Sequence, residues 1–228
     1  MIVTLDGPAG SGKSSAARQL AQRLGFRFLD TGAMYRAVTL AGLRAGIDLA
    51  DESALAQIAA AMDLDVSEDA VRLSGEDVSR AIRTFEVTTL TRHAADNQEV
   101  RRLLVDRQRA WAASGNVVTE GRDQATVVFP QAECKIFLTA SEEERARRRH
   151  ADLLANGESV TFAEVLARQR ARDQQDFDRP YGGLARTPES IELNTDGLTR
   201  DEVVAGLEAI VRDMQARLAK GNSRVDAG

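Results

Sequence analysis

Short apolar runs alternate along this chain with longer stretches in which apolar positions recur every three or four residues, the pattern of a parallel sheet covered by helices. Ile2-Val-Thr-Leu5 predicts a first strand, and Ser14 to Leu24 predicts a helix with Ala17, Leu20, Ala21 and Leu24 on one stripe. Phe26 to Asp30 predicts a second strand that delivers Asp30-Thr-Gly32 at its end. A helix to about Gly46 and another from about Asp51 to Met62 follow. Leu64-Asp-Val66 and Val71-Arg-Leu73 alternate apolar and polar residues around Ser67-Glu-Asp69, which predicts a small antiparallel hairpin inserted into the α/β framework.

Helical sequence resumes from Glu86 to Ala95. Asp96-Asn-Gln-Glu99 then predicts an N-cap with a glutamate three residues on, opening a helix through Val100, Leu103, Leu104 and Trp111 that stops at Gly115. Asn116-Val-Val-Thr119 and Lys135-Ile-Phe-Leu138 predict two more core strands. Ser141-Glu-Glu-Glu144 opens a strongly charged helix reaching about Asn156-Gly157, and Thr161 to Asp178 is a second, ended by Pro180-Tyr-Gly-Gly183. Ile191-Glu-Leu193 closes the strands, Thr199-Arg-Asp-Glu202 opens a last helix, and a frayed tail is expected over 221–228.

A chain of 228 residues suits one main α/β core with inserts rather than two separate domains. At 43% hydrophobic and 29% charged residues, it has the composition of an ordinary globular protein, and no apolar stretch is long enough to span a bilayer. The apolar run at Ile2 leaves no place for a basic region followed by an apolar one, so a cytoplasmic protein without a signal peptide is expected. Cys134 is the single cysteine, matches no metal spacing and reads as a buried strand residue. A net charge of −5 argues against a non-specific nucleic-acid surface. Of the 30 basic residues, 27 are arginines, suited to bidentate phosphate contacts as well as to ordinary ion pairs on helix faces.

Directly behind the first strand stands Gly7-Pro-Ala-Gly-Ser-Gly-Lys-Ser14, a complete G-x-x-x-x-G-K-[ST] phosphate loop. Its glycines let the backbone curl with several N–H groups turned inward to make a nest for phosphate oxygens. Lys13 is placed to bridge the β- and γ-phosphates, Ser14 to offer its hydroxyl to Mg²⁺, and the helix to aim its positive end at the anion.

Three further clusters fall past the carboxyl ends of strands, where open α/β sheets bind ligands. In Asp30-Thr-Gly-Ala-Met-Tyr-Arg36, the arginine lies on the opening turn of a helix, where it either clamps a second phosphate or is an ordinary surface arginine. In Glu120-Gly-Arg-Asp123, Glu120 ends an apolar strand, as a carboxylate that helps hold Mg²⁺ does, or serves as a helix cap. Arg122 and Asp123 permit two ligand contacts or one mutual salt bridge. In Arg172-Asp-x-x-Asp-x-x-Arg179, offsets of four and seven place Arg172, Asp176 and Arg179 on one helix face, as ligand groups or as a solvated ladder. Several arginines beside one triphosphate loop, with no serine, histidine or cysteine triad pattern, favour phosphoryl transfer, which needs positioning and charge neutralisation above all.

Together these residues resemble the bacterial cytidylate kinase family, the CMP kinases of the nucleoside monophosphate kinase group. The match runs from Ile2 to about Val211. It rests on the phosphate loop, Asp30 to Arg36, Gly75-Glu-Asp-Val-Ser79 with Ile82-Arg-Thr84, Gly121-Arg-Asp123 with Thr126-Val-Val-Phe-Pro130, and Arg172 to Arg179. The resemblance implies a P-loop kinase fold over 1–228, a parallel sheet flanked by helices, with an inserted monophosphate-binding region at 63–92 and a helical lid at 155–187.

By the same resemblance Gly7, Pro8, Ala9, Gly10, Ser11, Gly12, Lys13, Ser14 and Ser15 bind ATP. Thr31, Arg36, Thr91, Arg101, Arg122, Asp123, Arg172 and Asp176 bind CMP: Arg36, Arg122 and Arg172 at phosphates, Thr91, Arg101 and Asp123 at cytosine, Asp176 at the ribose. Lys13, Arg122, Arg172 and the lid arginine Arg179 act in catalysis, and Mg²⁺ arrives with ATP on Ser14, with Glu120 reaching it through water. The chain departs from the family pattern at Thr91 for serine, Phe85 for proline, Ala125 for glycine, and Gly182-Gly183 for a proline beyond the lid. If position 125 required a positive φ, Ala125 would strain the loop holding Arg122 and Asp123.

The expectation is an ATP-dependent kinase of CMP and dCMP in pyrimidine nucleotide metabolism, a monomer with no nucleic-acid or membrane partner. One alternative is a kinase of the same fold acting on AMP, UMP or an alcohol such as shikimate. The other is a nucleotide-driven switch, although no Asn-Lys-x-Asp guanine signature is present.

Overall fold

The computed structural model describes residues 1–155 and 157–225, the side chains of 221–225 excepted. The chain clusters into two compact units, one of residues 1–27 and 116–228, the other of residues 28–115.

The first unit is built on a parallel sheet. Its strands are β1 (Ile2–Asp6), β6 (Val117–Gly121), β7 (Cys134–Thr139) and β8 (Ile191–Asn194), and the five-stranded order β2-β6-β1-β7-β8 is completed by β2 (Arg27–Asp30). β1 pairs in parallel with β6, Asp6 opposite Gly121, and with β7, Asp6 opposite Phe137. A central strand is covered on both faces, which is why β1 reads as a nearly unbroken apolar run with Val3 and Leu5 fully buried. α1 (Lys13–Leu24) lies against β6 and α8 (Arg200–Val225) and buries Ala16, Ala17, Leu20 and Ala21. The buried cysteine expected on a strand is Cys134, the first residue of β7.

α6 (Glu142–Ala155) and α7 (Phe162–Asp178) follow β7 and pack together around Ala146, Leu153 and Val165. α7 opens with a full capping box between Thr161 and Glu164, and the Thr199–Glu202 pair makes the same reciprocal bonds ahead of α8. The tail expected over 221–228 overlaps α8 as far as Val225, and its last three residues lie outside the described residues.

The second unit holds α2 (Thr31–Arg44), α3 (Glu52–Ala61), α4 (Phe85–Asp96) and α5 (Gln98–Ala112) with a small sheet. The expected hairpin gains a third strand, giving the antiparallel order β3-β4-β5: β3 (Leu64–Val66), β4 (Val71–Leu73) and β5 (Glu76–Asp77). Two polar residues carry no alternation, so β5 left no trace in the pattern. The region expected at 63–92 lies inside this unit, which extends well beyond it on both sides.

The cap of α5 is one residue later than the sequence suggests. Asn97, at φ −73° and ψ 113°, accepts the Val100 amide, while Asp96 is the last residue of α4. Asn97 also donates to the carbonyl of Glu52 at 2.8 Å, a tertiary bond that decides between two adjacent capping residues. Likewise α2 begins at Thr31 with no intervening loop, because Asp30 caps it through the Ala33 amide.

Candidate active site

Behind β1 the backbone turns through Gly7, Gly10 and Gly12, all at positive φ. Gly7 is required on contact grounds too: a Cβ there would fall 2.0 Å from the carbonyl oxygen of Leu138. Lys13 is the first residue of α1 and only 4% exposed, its Nζ donating to the Pro8 carbonyl at 2.7 Å and to Ser11 Oγ at 3.4 Å. Burial, and then the like charge of Arg122, push this ammonium well below the usual lysine range, while Glu120, Asp6 and Asp176 pull the other way. A buried cation raised in energy in this manner gains most when an anion arrives.

Ser14 and Glu120, both expected at the metal, meet directly: the Ser14 hydroxyl donates to Glu120 Oε1 at 3.0 Å. Glu120 sits at the end of β6 and is buried. The loop after it holds Arg122 and Asp123 and continues into a π-helical turn, Gln124–Val128. That turn shows no sequence period of its own, but its first two amides donate to Asp6, Gln124 at 2.9 Å and Ala125 at 2.7 Å. Ala125 is therefore not the strain point that a positive φ would have made it; Ser74 is the only described non-glycine residue with φ in that region.

Arg122 is engaged by a residue of another element. Its Nε donates to Asp176 Oδ2 at 2.7 Å, and Arg179 Nη2 donates to Asp176 Oδ1 at 2.9 Å. Burial would raise the Asp176 carboxyl, but Arg122, by charge and hydrogen bond, then Arg179 and Arg172, outweigh it and hold it below the usual carboxylate value. Arg172 is pushed below the usual guanidinium range by burial and by the charge of Arg122. Lys13, Arg122, Arg172, Asp176 and Arg179 thus form one interacting cluster, not a solvated ladder.

Arg179 stands one residue past α7, at φ −59° and ψ 123°, where the chain folds back and the Leu184 amide donates to the Asp176 carbonyl. A Cβ at Gly183 would come within 2.8 Å of the Arg179 carbonyl, and Gly182 has φ +70°, which proline cannot adopt. The glycine pair is what this return turn needs. Sequence reasoning missed Arg145, which is buried and donates to the Ala9 carbonyl of the phosphate loop at 2.9 Å and to Asp173 at 2.6 Å. A run of arginines in a charged helix gave no signal to single it out.

In the second unit, Arg36 Nη2 lies 3.2 and 3.3 Å from the two oxygens of Asp30, and Arg83 Nη2 reaches Asp30 Oδ2 at 2.9 Å. Gly32 makes room, since a Cβ there would meet Arg36 Nη1 at 3.1 Å. Arg83 was not singled out beyond its motif, yet it brings a second guanidinium to the carboxylate that holds Arg36. Thr31 is buried at the start of the same helix. Thr91 donates its hydroxyl to the Val87 carbonyl at 2.6 Å. Arg101 is buried, donates to the Ala95 carbonyl at 2.9 Å and stacks its guanidinium 5.4 Å from the centre of the Tyr35 ring.

No helix among the described residues is long and apolar enough to cross a membrane. A family model described as Cytidylate kinase matches residues 3–213. A cytidylate kinase of Rhodopirellula baltica is 48% identical over 224 residues, covering 98% of this chain and 98% of its own. Another, of Geobacter sp. (strain M21), is 45% identical over 226 residues, covering 97% of this chain and 96% of its own. Among solved structures, that of an uncharacterized protein from Eubacterium ventriosum is similar in fold, with a TM-score of 0.51 at 11% identity over 95% of this chain and 98% of that one. A family match over residues 3–213 and near-full-length relatives at 45–48% identity give the conclusion that this chain belongs to the cytidylate kinase family.

Proposed function

We propose that the protein transfers the γ-phosphoryl group of ATP to CMP, with dCMP as a second acceptor, giving CDP or dCDP. The observation that carries this reading is the cluster of Lys13, Arg122, Arg172 and Arg179 around Asp176. One triphosphate is served by the loop and Lys13; the additional arginines suit a second phosphate.

In this reading, the phosphate-loop amides and Lys13 hold the β- and γ-phosphates of ATP. Ser14 and Glu120 offer a pair of hard oxygen donors, the set that suits Mg²⁺ when nucleotide phosphates supply further ligands. When bound, that ion would neutralise phosphate charge. Arg36, with Arg83 beside it on Asp30, holds the acceptor phosphate, while Thr91, Arg101 and Asp123 face the base. Asp176 exchanges its present partners for the ribose hydroxyls, which frees Arg122 and Arg179 for the phosphates.

The CMP phosphate has its second pKa near ~6, so at neutral pH its oxygen is already a dianionic nucleophile and no general base is needed. That oxygen attacks the γ-phosphorus, the bond to the β–γ bridging oxygen breaks, and ADP departs with the electron pair. The arginines neutralise charge in transit, and lid closure excludes water.

Base choice follows from hydrogen bonding. The Asp123 carboxylate accepts from the exocyclic amine of cytosine but would face the O4 acceptor of uracil, setting two acceptors against each other. Asp123→Asn is expected to narrow the ratio of kcat/KM for CMP over UMP by roughly tenfold or more. Equal turnover of CMP and UMP by the unaltered enzyme would remove this account.

A further inference from the structure

Asp6 belongs to no motif that the phosphate loop or the acceptor residues account for, and it is 1% exposed. It closes β1 immediately before Gly7, and in the sheet it lies opposite Gly121, where β6 ends. Its two carboxylate oxygens take two consecutive amides, Oδ1 from Gln124 and Oδ2 from Ala125. These are the first two residues of the π-helical turn, whose opening amides have no acceptor within the turn itself. The turn is closed on its other side by the Val127 and Val128 amides, both donating to the Asp123 carbonyl. One side chain thus takes both opening amides of the turn that follows Arg122 and Asp123.

The choice of residue is informative. A buried apolar side chain would leave two amides without acceptors, and a neutral amide side chain in the same pose would set its NH2, a donor, against one of them. A carboxylate fully removed from water is costly and persists where its two oxygens are both in use. Burial pushes this carboxyl up to about 7, the Ala125 and Gln124 amides restrain the rise, Asp123 adds to it and Lys13 opposes it.

We propose that Asp6 is a positioning residue for the acceptor. By clamping the Gln124 and Ala125 amides it fixes Arg122 and Asp123 in register with the phosphate loop that begins at the very next residue. The proposal rests on the reading that Arg122 and Asp123 bind CMP. It adds that their placement is dictated from β1, by a group that touches neither substrate.

Steady-state kinetics of Asp6→Asn tests it, with far-UV circular dichroism to confirm the fold. KM for CMP should rise about tenfold or more while KM for ATP stays within about threefold, and the preference for CMP over UMP should fall by about fivefold. An unchanged KM for CMP, or KM values for CMP and ATP that rise in proportion, overturns the proposal, the latter because a merely structural role would act on both substrates.

If Asp6→Asn does not fold, lactic acid incorporated in place of Ala125 deletes one N–H and leaves every side chain intact. KM for CMP should then rise about threefold with KM for ATP unmoved, and no change overturns the clamp. Asp123→Asn in the same assay separates the two readings. An altered Asp123→Asn beside an unaltered Asp6→Asn rejects the clamp alone, while an unaltered Asp123→Asn rejects the base-recognition reading and the proposal with it.

Discussion

Lys13 is buried, pushed below its usual pKa, and bonded to one carbonyl and one hydroxyl of its own loop, a setting that an arriving anion would relieve. Replacing it with methionine removes the charge and keeps the bulk. Lys13→Met is expected to lower kcat by roughly 10²–10³-fold or more with the thermal transition nearly unchanged. A folded variant with wild-type turnover would contradict the assignment. Cys134 shows the opposite use of burial. Desolvation, and then the charge of Glu133, push its thiol up to about 12, so at pH 8 it stays protonated within β7. A disulfide reagent should label it only after denaturant is added; rapid labelling of the native protein would show that β7 opens.

At this scale the sequence disclosed residue types better than partnerships. Arg122, Asp176 and Arg179 were legible as candidates from motif spacing, but their shared ion pair was not, because 54 residues separate Arg122 from Asp176. Asp6 and Arg145 escaped for the same reason. Their chemistry lies in bonds to distant backbone groups, Gln124, Ala125 and Ala9, and backbone groups leave no mark in a sequence.

Elements were most legible where period and caps agreed. α7 lies within the helix expected from Thr161 to Asp178, and β1 and β7 contain the expected apolar runs. Elements whose logic is tertiary were not: β5 exists by pairing with β4, and the π-helical turn by donating to Asp6. α4 offers a test of local logic. Thr84 caps it by accepting the Val87 amide, and Phe85, 74% exposed, fills its first helical position. The first helical residue needs no amide donor, and proline is pre-set for its φ. Phe85→Pro is therefore expected to stabilise the protein by about 0.4–1 kcal/mol, mainly by restricting the unfolded chain, with a melting temperature raised by roughly 1–4 °C. A fall in the melting temperature would show that Phe85 makes a contact worth more than the entropy gained.

The whole molecule carries a net charge of −5, while the first unit gathers Lys13, Arg122, Arg172 and Arg179 around a few carboxylates. Global charge argued against a non-specific nucleic-acid surface and said nothing of the site, whose sign is set locally. Division into two compact units was not legible either, since helices and strands alternate across both boundaries without a change in composition. Family membership removes the switch without an acceptor and the alcohol kinases from consideration, and leaves the identity of the accepting base as the central claim. The measurement that tests it most directly is ADP release, coupled to a reporter, from the purified protein with ATP and Mg²⁺ and, in turn, CMP, dCMP, UMP, AMP and no acceptor. The account predicts rapid release with CMP, release with dCMP, at least about tenfold lower kcat/KM with UMP, and near silence without an acceptor. Release that is independent of acceptor, or as fast with UMP or AMP as with CMP, would contradict it.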